Sequence, residues 1–207
     1  KIIFFLSNSL ATKLLWGDNI MSIKTAVKDH FSYSPISKHL MEHFAYLHGF
    51  SDMKLAYRDG NLLIRKFTAQ DVDKCTELFK EVFSAYPWYD NWVSFEQART
   101  YLIELIENPV FEGYVAYNGL KLVAVCFGHR RSWWMGKELF IDEFYVRNES
   151  QGNGIGTRMM DYIKKQLIEE EYVRLVLLTN KGIPAEEFYI KNGFYNNQDR
   201  TVMVKEL

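Results

Sequence analysis

The chain has 207 residues, 48% of them hydrophobic and 25% charged, a composition that suits one sizeable core with at most an appendage. Its 25 lysines and arginines nearly balance its 26 aspartates and glutamates, so charge excludes a nucleic-acid coat protein and a polybasic membrane binder. Two cysteines, Cys75 and Cys126, are too few for a disulfide scaffold, and no apolar run approaches the roughly 18 residues that cross a bilayer. We therefore expect a cytoplasmic protein without a membrane segment.

Residues 1–60 are predicted to form a helical N-terminal extension. Ser34 and Pro35 are typical of a helix start, and Gly49 follows the last residue of the apolar face. The segment His39–His43 fits the HxxEH pattern of zinc proteases, but two histidines that flank an apolar stripe are more often surface residues. The excess of basic residues is too small to favour a DNA-binding helix-turn-helix, so we expect a lid or a dimer-forming surface.

From Asn61 onward the sequence predicts strands and helices in a single mixed α/β domain, residues 61–207. The sequence predicts six strands, over residues 62–67, 111–117, 121–128, 138–146, 173–178 and 201–204. Helices are expected from Val72 to before Pro87, from Ser94 to Asn108, from a glycine-rich segment to Leu167, and over 184–192.

The glycine-rich segment places Gly152, Gly154 and Gly156 between a predicted strand and a predicted helix. Glycine lets a backbone approach a ligand closely, and the free N–H groups of a helix start attract an anion such as pyrophosphate. The spacing is not the GxGxxG of dinucleotide-binding folds, and the Gly-Lys-Ser/Thr of a P-loop is absent from the segment. These residues predict an anion-binding turn without selecting its ligand.

Two motifs together resemble a known family. Gln151-Gly152-x-Gly154-x-Gly156, beginning five residues after Val146, resembles the pyrophosphate-binding motif of the GNAT superfamily of acetyl-CoA-dependent N-acetyltransferases. The run Ala185–Phe194 is similar to the late helix of that family. The resemblance covers residues 61–207 and implies an α/β (α+β) fold: a central mixed, mostly antiparallel twisted sheet, splayed between its fourth and fifth strands and flanked by helices.

The resemblance also implies that acetyl-CoA binds as a co-substrate at the end of the strand 138–146 and along the glycine-rich segment. The strand backbone would pair with the pantetheine arm, and the segment would hold the pyrophosphate. Many relatives carry an asparagine three residues before the helix alanine; here that position is Gly182, and Asn180 is the substitute. The other implied residues are Phe144, Tyr145, Val146, Gln151, Gly152, Asn153, Gly154, Ile155, Gly156 and Thr157.

Transfer to an amine needs a base, because a protonated alkylamine has a pKa of about 10. Family members place a carboxylate four or six positions before the valine; here these positions are Asp142 and Phe140. We expect Asp142 to be the base, with Glu143 as its substitute or as an amine-binding neighbour. The two-residue period of a strand predicts Phe140, Asp142, Phe144 and Val146 on one face and Glu143 and Tyr145 on the other.

Tyr189 matches the general acid of the family, and a phenol suits protonation of the leaving thiolate. The segment 86–92 resembles the early substrate loop of a bacterial branch. Its Trp88, Tyr89, Asp90 and Trp92 are candidates for a wall that attracts a cationic acceptor.

These features predict an N-acetyltransferase that moves the acetyl group of acetyl-CoA to a primary amine of a small cationic compound, by direct attack in a ternary complex. We expect no metal and no nucleic acid, and a homodimer is a candidate assembly. Two alternatives stay open: a protein N-acetyltransferase, and a non-catalytic acyl-CoA sensor whose extension binds DNA or a protein.

Overall fold

The computed structural model describes residues 56–207. The helices predicted within the extension and the HxxEH segment lie outside the described residues, and the division of the chain at residue 60 stays a prediction. Each helix between residues 56 and 207 is too short or too polar to cross a membrane.

Six strands form one sheet in which spatial order follows chain order. Neighbouring strands are antiparallel, except that β5 and β6 are parallel. This mixed, mostly antiparallel sheet confirms the predicted fold. The strands are β1 (Tyr57–Asp59), β2 (Leu62–Lys66), β3 (Phe111–Asn118), β4 (Lys121–Trp133), β5 (Gly136–Val146) and β6 (Tyr172–Leu177).

Helices cover both faces of the sheet, and their apolar positions form two buried clusters. On one face, α1 (Val72–Phe83) and α2 (Phe95–Ile106) pack against β3, β4 and β5. On the other face, α3 (Ile155–Glu169) and α4 (Pro184–Lys191) pack against the same strands. Ser94 caps α2 as predicted, since its Oγ accepts a hydrogen bond of 3.0 Å from the Gln97 N–H.

Three strands differ from the prediction. β4 continues to Trp133, although this strand was expected to end at Gly128. Tyr57–Asp59 forms β1 and pairs with β2, although these residues were expected in the extension, because three residues are too few to show a period of two. Residues 201–204, predicted as the last strand, form none; Val202 is 64% exposed and Met203 88% exposed. This short run does not alternate between polar and apolar residues, so the prediction depended on its composition alone.

A β-bulge in β5 changes which side chains share a face. Phe127 of β4 pairs with Glu143 and Gly128 pairs with Ile141, so Asp142 is the extra residue. The predicted alternation is therefore wrong at Phe140: Ile141, not Phe140, packs in the same cluster as Phe144 and Val146. The strands come very close here, since a Cβ on Gly128 would lie 2.4 Å from the Phe140 carbonyl oxygen.

The sheet splays at the predicted place, between the strand 138–146 and the next one. β5 pairs with β6 from Lys137 to Ile141, and β6 ends at Leu177, whereas β5 continues to Val146. The last residues of β5 therefore have a strand neighbour only on the β4 side, which leaves backbone groups available on the other.

A buried carboxylate anchors the start of α1 to the sheet. Both oxygens of Asp71 lie 2.7 Å from the guanidinium of Arg65 in β2, and the Tyr117 hydroxyl of β3 donates a third hydrogen bond, of 2.8 Å. Burial opposes ionisation of Asp71, but these donors outweigh it and hold the pKa of its carboxyl below the ordinary value.

We expect Asp71→Asn to lower the free energy of unfolding by about 2–3 kcal/mol at pH 7, because Arg65 keeps its charge without a carboxylate partner. The exposed pair Arg99–Asp73 supplies the control, since Asp73→Asn should cost less than about 1 kcal/mol. Because the folded-state pKa of Asp71 is lowered, its contribution is present at neutral pH and fades as the pH falls through that value. Urea unfolding measures both variants, and equal losses of unfolding free energy at pH 7 would contradict the role of Asp71 as an anchor.

Candidate active site

A cavity of about 370 Å³ opens between the end of β5, the glycine-rich segment and the start of α4. Tyr189 and Trp88 also line it. Asn153 and Asn180 are not in the wall and are exposed. The remaining predicted acetyl-CoA residues all line the cavity: Phe144, Tyr145, Val146, Gln151, Gly152, Gly154, Ile155, Gly156 and Thr157.

The glycine-rich segment presents free backbone N–H groups to this cavity. Gly152 and Gly154 have φ angles of 74° and 71°, a left-handed conformation that favours glycine. Gly154 is the N-cap of α3 and no side chain caps the helix, so its first N–H groups lack intrahelical partners. Gln151 fixes the segment to β5 by donating a hydrogen bond of 2.9 Å to the Val146 carbonyl. This arrangement suits an anionic ligand.

Close packing between α3 and α4 sets the position of Tyr189. A Cβ on Gly156 would lie 3.0 Å from the Phe188 ring, so a larger residue there would displace that ring. Phe188 stacks on Phe144 at 5.5 Å between ring centroids, and Tyr189 lies 6.3 Å from Phe144. Burial, followed by the nearby Cys126 and Glu143, raises the pKa of the Tyr189 phenol. The phenol is therefore protonated at neutral pH and can act as a proton donor.

The two carboxylates of β5 have different partners, and neither lines the cavity. Asp142, at the bulge, has its Oδ2 2.7 Å from Nδ1 of His129 in β4. Glu143 accepts a hydrogen bond of 2.5 Å from the hydroxyl of Tyr101 in α2. Burial raises the pKa of Glu143 to about 7; the Tyr101 hydroxyl opposes this rise, whereas Asp142 and Asp90 add to it.

The aromatic residues of the segment 86–92 separate in the structure. Trp88 lines the cavity, whereas Trp92 packs on Phe79 at 4.9 Å and on Tyr101 at 5.3 Å between ring centroids. Tyr89 is 70% exposed and Asp90 is exposed, although Asp90 is close enough to Glu143 to raise its pKa. The structure thus brings Trp88 to the cavity and Trp92 beside the partner of Glu143, and leaves Tyr89 outside both.

The sequence model described as the acetyltransferase (GNAT) domain matches residues 109–196, which contain β5, the glycine-rich segment and α4. This part of the chain is a GNAT acetyltransferase domain. The enzyme class predicted from the sequence, an acetyl-CoA-dependent N-acetyltransferase, is confirmed. No curated protein matches the chain.

Solved structures share the GNAT fold over most of the described residues. A possible acetyltransferase from Clostridium difficile 630 has a TM-score of 0.61 at 18% identity, over 70% of this chain and 98% of its own. The aminoglycoside acetyltransferase meta-AAC0020, from an uncultured soil metagenomic sample, has a TM-score of 0.57 at 17% identity, over 72% and 98%. AAC(6')-Iy, in complex with a bisubstrate analogue, has a TM-score of 0.57 at 10% identity, over 70% and 98%. At these identities the likeness shows the fold alone.

Two residues beside the carboxylates of β5 were not among the sequence predictions. Tyr101 lies on the inward face of α2, three residues after Ala98 and one before Leu102, so helical periodicity could have identified it. His129 lies beyond Gly128, where the strand was predicted to end, and β4 instead continues to Trp133. A longer strand prediction would have placed His129 opposite the strand that carries the carboxylates.

Proposed function

We propose that this GNAT domain transfers the acetyl group of acetyl-CoA to a primary amine of a small cationic compound, by direct attack in a ternary complex. The observation that carries the proposal is the cavity itself, which has free helix N–H groups at one end and the buried phenol of Tyr189 in its wall. Acetyl-CoA is the donor of GNAT acetyltransferases, and this cavity has the features that its pyrophosphate and its thiol require.

The donor would bind in two parts. Its pyrophosphate would accept hydrogen bonds from the N–H groups of residues 152–157, where the helix dipole favours negative charge. Its pantetheine arm would lie along Phe144–Val146, because β6 ends before these residues and their outer side has no strand neighbour. The amides of the arm would act as an added strand in the gap of the sheet.

Acetyl transfer would then proceed without a covalent enzyme intermediate. A carboxylate of β5, Asp142 or Glu143, takes one proton from the ammonium group directly or through water, which frees the nitrogen lone pair to bond to the thioester carbonyl carbon. The carbon–sulfur bond breaks as the tetrahedral intermediate collapses, Tyr189 gives its proton to the sulfur, and the nitrogen loses its second proton, which returns through water to Tyr189. The carboxyl group releases the first proton to solvent, and the products are an acetamide and coenzyme A.

A small cationic acceptor is supported by charge. Asp90 and Asp142 both lie close enough to Glu143 to raise its pKa, so three carboxyl groups gather near the end of β5. A polyamine, an aminoglycoside or an amino-acid-like amine fits these carboxylates, and one protein of similar fold, meta-AAC0020, is named an aminoglycoside acetyltransferase. An amino group on a protein is the rival acceptor.

Two measurements on the full chain test this proposal. Calorimetry should show acetyl-CoA binding with a micromolar dissociation constant, and a screen of amines should then detect release of the coenzyme A thiol that depends on the amine. Binding without turnover for any amine would support an acyl-CoA sensor and overturn the enzymatic proposal. Absence of binding to every acyl-CoA would overturn both.

A further inference from the structure

The phenol of Tyr101 reaches from α2 to β5 and engages one oxygen of Glu143. Its hydroxyl donates a hydrogen bond of 2.5 Å to Oε1 of Glu143. Within residues 56–207, the Glu143 carboxyl makes no other hydrogen bond. The Tyr101 ring is held between Trp92, at 5.3 Å, and Phe79, at 5.6 Å between ring centroids. The contact fixes the orientation of the carboxyl and leaves Oε2 unengaged.

The groups around Glu143 have opposite effects on the pKa of its carboxyl. Burial and the neighbouring carboxylates disfavour the ionised form, and the Tyr101 hydroxyl favours it. Other titratable groups face Glu143 from several elements: Asp142 on β5, itself bound to His129 of β4; Asp90 after α1; Tyr145 on β5; and Tyr189 on α4. None of these groups makes a hydrogen bond to Glu143 in the described residues, whereas Tyr101 does.

We propose that Tyr101 is a positioning residue that makes Glu143, rather than Asp142, the proton acceptor in acetyl transfer. The inference rests on the proposed function. The hydroxyl holds Oε1 and leaves Oε2 to take the proton, and it opposes the rise in the pKa of the carboxyl that burial causes. A carboxylate with a pKa of about 7 is a much better proton acceptor than one with an ordinary value, because its pKa matches the working pH.

The bulge gives Asp142 a different role. Its Oδ2 lies 2.7 Å from Nδ1 of His129, so one of its oxygens is already engaged by a side chain of β4. As the extra residue of the bulge, Asp142 also departs from the regular alternation of β5, so its carboxyl group does not share the surroundings of Glu143. Asp142 therefore suits binding of the cationic acceptor rather than proton transfer.

Tyr101→Phe tests the inference because it keeps the ring and removes only the hydroxyl. Activity requires the ionised base, so the wild-type kcat should rise with pH through about 7. Loss of the donor raises the pKa of Glu143 further. The acidic limb of the pH–kcat profile, the part in which kcat rises with pH, should therefore move upward by about one pH unit, with acetyl-CoA affinity unchanged. Tyr162→Phe is the control: its hydroxyl is buried without a partner in the described residues, so the limb should stay in place.

Two further outcomes separate the rival assignments. If His129→Asn moves the limb and Tyr101→Phe does not, Asp142 is the proton acceptor and the inference is wrong. The carboxyl carbon of Glu143, followed by ¹³C NMR in glutamate-labelled protein and assigned with Glu143→Gln, should titrate near pH 7 in the wild type and higher in Tyr101→Phe. An equal midpoint in both would overturn the inference. If the protein acetylates no amine, the proposed function fails, whereas the NMR midpoints still test the contact.

Discussion

Replacing Glu143 by glutamine is expected to lower kcat for acetyl transfer by about 10²–10⁴-fold, the usual contribution of a general base. Glutamine has nearly the same shape and can still accept the Tyr101 hydrogen bond, but it cannot take a proton. The comparison variant is Glu112→Gln, on β3, where the carboxylate is paired with Lys66 and Tyr172, and it should leave kcat close to that of the wild type. Steady-state kinetics at pH 8, where Glu143 is ionised, measures the effect.

The same substitution is expected to stabilise the domain. The pKa of Glu143 is about 7 in the folded protein against an ordinary 4.5, so the folded state binds more protons between these values. The free energy of unfolding therefore falls as the pH rises from about 4.5 to 7. Because glutamine carries no charge, Glu143→Gln should raise the free energy of unfolding by at most about 3 kcal/mol at pH 8 and leave it unchanged near pH 4. Denaturant unfolding at both pH values checks this, and a gain that is equal at pH 4 and pH 8 would contradict a raised pKa.

Tyr189→Phe is the second substitution with a large expected effect. It should lower kcat by about 10²–10⁴-fold, because the thiolate of coenzyme A would leave without a proton donor. Acetyl-CoA affinity should change little, since the ring and its contacts with Phe144 and Phe188 remain. Tyr195→Phe, at a position 80% exposed, is the control and should behave as wild type.

Kinetics and calorimetry together distinguish the acid role of Tyr189 from a packing role. A packing residue would lose donor affinity along with turnover, whereas a general acid loses turnover alone. Wild-type kcat in Tyr189→Phe would remove Tyr189 from the mechanism.

Features that depend on neighbouring residues could be predicted from the sequence. The glycine spacing requires left-handed backbone at Gly152 and Gly154, and the helix that begins at Pro184 carries Tyr189 on a short local motif. The splay of the sheet followed from the family resemblance that these same motifs carry. The glycine turn and the start of the helix are each encoded by a short local segment of chain.

Features that depend on distant contacts could not be predicted. The bulge at Asp142 lies where Gly128, on a different strand, comes close to Phe140, and it alters the side-chain alternation that a uniform strand would have. The partners of the two carboxylates, Tyr101 and His129, come from another helix and another strand. The strand predicted at residues 201–204 failed for the same reason, since strand formation requires a partner that a short apolar run does not specify.

Mass spectrometry of the products and of the protein in one reaction tests the central claim most directly. The full chain is incubated with acetyl-CoA, with and without a small cationic amine, and both the amine and the intact protein are weighed. Direct attack in a ternary complex predicts that the amine gains one acetyl group, that the protein mass is unchanged, and that Glu143→Gln and Tyr189→Phe form far less product in the same time. An acetyl group found on the protein, with none on any amine, would contradict the account.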